Sequence, residues 1–220
     1  MTMSDSPTIT TFAWVPEFAR GFVRDLRPRW ALEEIGEPYE VELIRDSKTD
    51  EYRCRQPFGQ VPVYRDEHGE SFESGAMVLR IAERGGNLLP SERKARAQAI
   101  QWVIAALNSV EPFVMAVVIN DLFERDQPWS KMRHDKVVAD LDRRLADLQN
   151  GLGDGPWLEG EQFTVGDLMM VAVLHGTPEE ILAKHSKLAD YVRRGKDRPS
   201  FKKAIADQLA TFESSAVPAQ

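Results

Sequence analysis

Gln60-Val61-Pro62-Val63-Tyr64, followed after a polar turn by Phe72-Glu73-Ser74-Gly75-Ala76, is the most telling part of this chain. Pro62 sits inside an apolar run beside a hairpin pattern, where it fixes its own φ and donates no ladder hydrogen bond. A bent peptide, compatible with the cis form, is expected there. The backbone of Val61 is then left to pair with a ligand instead of a strand. Further on, an acidic side chain and a hydroxyl stand side by side where a strand gives way to a helix. The free N–H groups of a helix start attract anions, so Ser74 suits a ligand carboxylate, and Glu73 suits a ligand ammonium. Together they describe a pocket for an amino acid or a short peptide.

The pattern on either side of this stretch predicts a small mixed sheet with helices packed on it. Residues 9–14 are β-branched and aromatic, which predicts a first strand ended by Val15-Pro16. Phe18, Phe22, Leu26 and Trp30 then fall four apart, a helical spacing interrupted at Pro28 by a kink or a fresh start and stopped by Gly36. Residues 39–43 alternate as a half-buried strand, and a polar segment leads through 45–55 to a turn at Pro57-Phe58-Gly59. Residues 61–64 and 70–73 form a hairpin around 66–69, and 74–84 form a helix closed by Gly85-Gly86. After Pro90 the strand signals end. Amphipathic stretches follow at 92–125, bent at Pro112, and at 130–149, 164–175, 178–194 and 199–212. The expected division is a domain at 1–86, a linker at 87–91, a helical domain at 92–214 and a tail at 215–220. Thr164-Val165-Gly166-Asp167, preceded by Phe163, has the spacing of a capping box, which is a folding signal.

Composition narrows the function classes. At 220 residues, 42% apolar and 29% charged, the chain has ample material for a core. A formal net charge of −7 argues against nucleic acid or an anionic membrane as the main partner, since both favour a basic surface. No uncharged apolar run approaches the roughly 18 residues of a membrane span, so no membrane partner is expected. The single cysteine, Cys54, excludes an internal disulfide, and a reducing cytoplasm is the expected setting. His68, His134, His175 and His185 show no paired ligand spacing, so no metal site is expected.

Gln60-Val61-Pro62, Glu73-Ser74-Gly75-Ala76 and Trp157-Leu158-Glu159-Gly160-Glu161-Gln162-Phe163-Thr164-Val165-Gly166-Asp167-Leu168 together resemble the cytosolic glutathione transferase superfamily. Leu188-Ala189-Asp190-Tyr191-Val192-Arg193-Arg194, followed by Arg198-Pro199-Ser200-Phe201, extends the resemblance to residues 9–212. It implies an α/β thioredoxin-like amino-terminal domain, an all-helical carboxy-terminal domain and a homodimer. It also implies glutathione as co-substrate, transferred to a small apolar electrophile. Carried over by residue, Val61 pairs its backbone with the cysteinyl part next to a cis Pro62, with Gln60 alongside, and Glu73 and Ser74 hold the γ-glutamyl end. Lys48 or Arg45 is left for the glycyl carboxylate. Trp102, Asn108 and Phe113 fall where the family builds its substrate wall, with core packing or helix surface as their alternative roles.

The chain departs from the family at the sulfur. Residues 11–22 contain none of the Tyr, Ser or Cys that the family uses there. Thr11, Arg20 and Arg24 are the candidates to stabilise a thiolate, with backbone N–H groups as the alternative. Three readings follow: a glutathione transferase, a glutathione-dependent disulfide or peroxide reductase, and a binding module that kept the fold without the chemistry.

Overall fold

The structure is a computed structural model and describes residues 6–214. The tail expected at 215–220 lies outside the described residues. Four strands occur, β1 (Thr8–Phe12), β2 (Glu40–Ile44), β3 (Val63–Asp66) and β4 (Gly69–Ser71). The helices in chain order are α1 (Leu26–Ile35), α2 (Asp50–Arg55), α3 (Ser74–Arg84), α4 (Arg93–Ala105), α5 (Glu111–Val118), α6 (Ser130–Gly151), α7 (Val165–Leu174), α8 (Glu179–Leu182), α9 (Ser186–Lys196) and α10 (Pro199–Ser214). They form two compact units, Met1–Leu88 with Arg198–Gln220, and Leu89–Asp197.

In the first unit the sheet order is β2-β1-β3-β4. β1 is parallel to β2, with Thr8 opposite Glu40, and antiparallel to β3, with Thr8 opposite Arg65. A parallel pair needs a crossover, and α1 supplies it. Residues 8–11 of β1 are all buried, as befits an inner strand. The helical spacing expected from Phe18 onward is not used: Glu17–Ala19 is a short 3-10 turn, and α1 starts at Leu26. Pro28 is the physical reason. It lacks an N–H, so it is tolerated in a first turn whose N–H groups have no intrahelical partner, and not in a helix interior. Phe18 and Phe22 are consequently half exposed instead of forming a core stripe.

The last helix, expected in a domain spanning 92–214, groups with this first unit. Phe201 packs edge-on against Trp30 at 4.9 Å, and Arg198 grips Glu34 with two bonds of 2.6 and 2.7 Å. Deeper in, Asp25 is fully buried, pairs with Arg29 at 2.8 Å and accepts from Gln208 Nε2 at 2.6 Å. Burial pushes the Asp25 carboxyl above the usual range, and Arg29 opposes that.

In the second unit, Arg93–Phe123 runs as a long helical stretch with two wide turns, Ala106–Val110 and Ile119–Phe123. The expected bend at Pro112 is accommodated by the first. The proline ring displaces the carbonyl four residues back, and Glu111 N–H bonds Ala106 O in a π turn. Among the described residues this stretch alone is long and apolar enough by length and composition to cross a membrane, at hydropathy 1.9. The expectation concerned an uncharged run, and Glu111 interrupts this one. The pattern at 178–194 divides into α8 and α9, because His185 turns inward there and Nε2 meets Asp142 at 3.0 Å.

Apolar α7 is buried along nearly its whole length. The reciprocal capping box forms at its start: Asp167 Oδ2 accepts from Thr164 N–H at 2.9 Å, and Gly166 N–H donates to Thr164 Oγ1 at 3.2 Å. Neighbouring helices approach α7 through glycine. A Cβ on Gly195 would lie 2.6 and 2.7 Å from the two methyls of Val171, and one on Gly166 would lie 2.7 Å from Trp102 Cβ. Gly195→Ala is therefore expected to destabilise the protein by about 1–3 kcal/mol through overpacking. At Gly151, where a Cβ meets nothing, Ala is expected to be neutral or mildly stabilising. Thermal melts of the two variants check this contrast, and equal midpoints would show that α9 and α7 are not tightly packed.

Candidate functional site

Side chains of the first unit tie three segments, 47–48, 56–62 and 72–74, to one another. Ser47 Oγ and Lys48 Nζ both donate to the carbonyl of Gly59, at 2.8 and 2.7 Å. Gly59 has φ of 60°, and a Cβ there would come 2.7 Å from Ser47 O, so conformation and space both require glycine. Buried Gln56 folds its Oε1 back to accept from the N–H groups of Phe58 (2.7 Å) and Gln60 (3.2 Å). Tyr52 donates its hydroxyl to Gln60 O at 2.9 Å, and burial pushes that phenol up to about 12, so it stays a donor. This scaffold holds the backbone that leads into the cis Val61–Pro62 peptide bond, just before β3.

Phe58 meets Phe72 edge-on at 6.3 Å, which links this loop to the start of α3. Next comes Glu73. Among the described residues it is the one non-glycine with positive φ (70°), and its side chain is exposed and makes no capping bond. The first-turn N–H groups of α3 are thus not satisfied by their own N-cap side chain. Ser74 follows, buried, with Oγ accepting from Arg27 Nη1 at 3.0 Å. A hydroxyl, open helix N–H groups, a guanidinium and a neighbouring carboxylate therefore lie close together. That set suits a ligand carrying a carboxylate beside an ammonium.

Gln60, Val61, Pro62, Glu73, Ser74 and Lys48 all lie on these linked segments. The sulfur candidates do not share them. Thr11 is 0% exposed, on β1 beside Asp25, so its hydroxyl lies in the core. Arg20 and Arg24 are half-buried in the segment between β1 and α1. In the second unit, Trp102 Nε1 donates to Glu159, Phe113 lies under the Arg144 guanidinium at 4.6 Å, and Asn108 is exposed on the first π turn. Trp102 and Phe113 are thus engaged by partners within their own unit.

Sequence reasoning missed Arg27, Ser47, Tyr52 and Gln56. For Tyr52 a signal existed: Thr49 followed by Asp50 and Glu51 is a cap with an acidic first turn, and the structure forms α2 there, with Thr49 Oγ1 accepting from Tyr52 N–H. The other three are fixed by contacts distant in sequence, which no local pattern reveals. Among the described residues no group of three or more His, Cys, Asp or Glu is placed to hold a metal ion.

Comparison with known proteins agrees with this architecture. Residues 114–208 match the family model described as glutathione S-transferase, C-terminal domain. Glutathione S-transferase F14 of Arabidopsis thaliana is 30% identical over 180 residues, covering 74% of this chain and 70% of the relative. The disulfide-bond oxidoreductase YfcG of Escherichia coli (strain K12) is 26% identical over 137 residues, 61% of this chain and 62% of that one. A solved glutathione transferase family member from Pseudomonas fluorescens pf-5, with two glutathione bound, superposes with a TM-score of 0.79 at 22% identity, covering 91% of this chain and 92% of that chain. With a small mixed sheet, a helical carboxy-terminal region and a relative matched at this identity over most of its length, the chain belongs to the glutathione S-transferase family.

Proposed function

We propose that this protein binds glutathione in its first unit and transfers it, as the thiolate, to a small apolar electrophile. The observation that carries the reading is the start of α3, where exposed Glu73 with φ of 70° adjoins buried Ser74. Glu73 takes the γ-glutamyl ammonium and Ser74 its carboxylate. The Val61 backbone pairs with the cysteinyl unit beside the cis Pro62, and Lys48, with Gln60 next to it, meets the glycyl carboxylate. The thiol loses its proton to solvent. The sulfur lone pair then attacks the electrophilic carbon, and the leaving group departs with its bonding pair. Positive charge lowers the cost of the anion, and of the sequence candidates Arg20 and Arg24 remain to supply it. Removal of Thr11 from that set follows from its burial.

A second reading, disulfide reduction, is favoured by the likeness to the disulfide-bond oxidoreductase YfcG and by the two glutathiones in the Pseudomonas structure. One glutathione thiolate attacks the disulfide and releases a thiolate. A second attacks the mixed disulfide, giving glutathione disulfide and the other thiolate, so no protein cysteine is consumed. Initial rates with an activated aryl halide and with a small disulfide, each at saturating glutathione, decide between them. Turnover of the halide is the expected result. Turnover of the disulfide alone supports the second reading, and turnover of neither, with binding intact, leaves a non-catalytic module. A homodimer accompanies the reading, supported by the exposed Ile104, Leu122 and Phe123 on the second unit's long helical stretch. Light scattering at micromolar protein tests it, and a monomeric mass refutes it.

A further inference from the structure

Arg27 has no role in the reading above, yet the residue is 6% exposed and its guanidinium sits behind the residue assigned to the ligand carboxylate. It lies in the first turn of α1, and Nη1 reaches Ser74 Oγ at 3.0 Å across a buried contact between positions 47 residues apart in sequence. A guanidinium has only donors, so Ser74 must accept from it. That fixes the hydroxyl's orientation: with a lone pair occupied from the Arg27 side, its single proton is turned away from α1. The hydroxyl is also polarised, since a group that accepts from a cation donates more strongly. Next to it stand the α3 N–H groups that Glu73 leaves uncapped.

We infer that Arg27 is a positioning residue for the glutathione α-carboxylate: it aims and polarises the Ser74 hydroxyl and puts a positive charge behind it. This rests on the proposed glutathione site and deepens it, because it makes the α-carboxylate the group the site selects. Peptides with a free γ-linked amino-acid head are bound, and those lacking that carboxylate are rejected. A charge-assisted contact of this kind is worth on the order of a 10- to 100-fold change in affinity.

The test compares glutathione with γ-aminobutyryl-cysteinyl-glycine, which is glutathione without its α-carboxylate, in calorimetric titrations of the full chain and its variants. Wild type is expected to prefer glutathione by about 10- to 100-fold. In Arg27→Met, which fills the space with apolar atoms, and in Arg27→Gln, that preference is expected to collapse to within about 3-fold while the analogue binds as it does to wild type. A merely structural role would weaken both ligands alike. If the neutral variants do not fold, Arg27→Lys is used, and a several-fold loss of preference is expected because the shorter side chain no longer holds Ser74. An unchanged preference in whichever of these variants folds, or equal weakening of both ligands, overturns the inference. Failure of wild type to bind glutathione at all would instead overturn the site on which it rests.

Discussion

Glu73→Ala is expected to weaken glutathione binding by about 30- to 150-fold, the worth of a charge-assisted hydrogen bond from an ammonium to a positioned carboxylate. The position is costly for the protein to maintain. A non-glycine residue at φ 70° and ψ 111° stores roughly 1–3 kcal/mol of backbone strain, and the exposed side chain repays none of it with a capping bond. Alanine keeps the strain and removes the carboxylate, so the folded state should change by less than about 0.5 kcal/mol while affinity falls. Glu73→Gln, which keeps the shape and one acceptor but not the charge, is expected to fall between the two. Titration calorimetry of the three proteins, with thermal melts alongside, checks this. Unchanged affinity in Glu73→Ala would remove the γ-glutamyl end from this place.

Asp167→Ala is expected to cost about 3–5 kcal/mol, the largest stability loss of any substitution considered. Its carboxylate accepts from Leu158 N–H at 2.9 Å, Thr164 N–H at 2.9 Å, Thr164 Oγ1 at 3.1 Å and the Tyr191 hydroxyl at 3.0 Å. The residue is 0% exposed, and burial pushes its carboxyl above the ordinary range against the pull of those donors. Truncation leaves buried donors on three residues without an acceptor, in the turn that joins Trp157-Leu158 to α7 and the Tyr191 face of α9. Urea unfolding is expected to show a midpoint shifted sharply down, with a second transition if the two units lose their cooperativity. A midpoint within experimental error of wild type would mean that the network contributes little and that the capping box is a local feature only. Glutathione affinity measured below the transition should be unaffected, because none of these groups lies in the first unit.

The contrast between these two residues explains what the sequence made legible. Glu73-Ser74 and Thr164-Asp167 are local patterns, an acidic residue and hydroxyl at a helix start and a reciprocal cap, and each was readable because the pattern itself spans only a few residues. The hairpin, α3 and the change to helices after Pro90 were readable for the same reason, from periodicity and from turn residues. Thr11 shows the limit. A β-branched hydroxyl in an apolar strand reads alike whether it faces a ligand or the core, and only the arrival of Asp25 beside it decides for the core. Phe18 and Phe22 carried a helical spacing that the chain does not use, because Pro28 sets where α1 can begin. Arg27 could not be found at all from sequence, since its meaning comes from Ser74, which sits on another helix.

Titration of the full chain with reduced glutathione at neutral pH tests the central claim most directly. Saturable binding near one site per chain is predicted. Absence of binding into the millimolar range would contradict the account and leave a family fold without the ligand proposed for its α3 start.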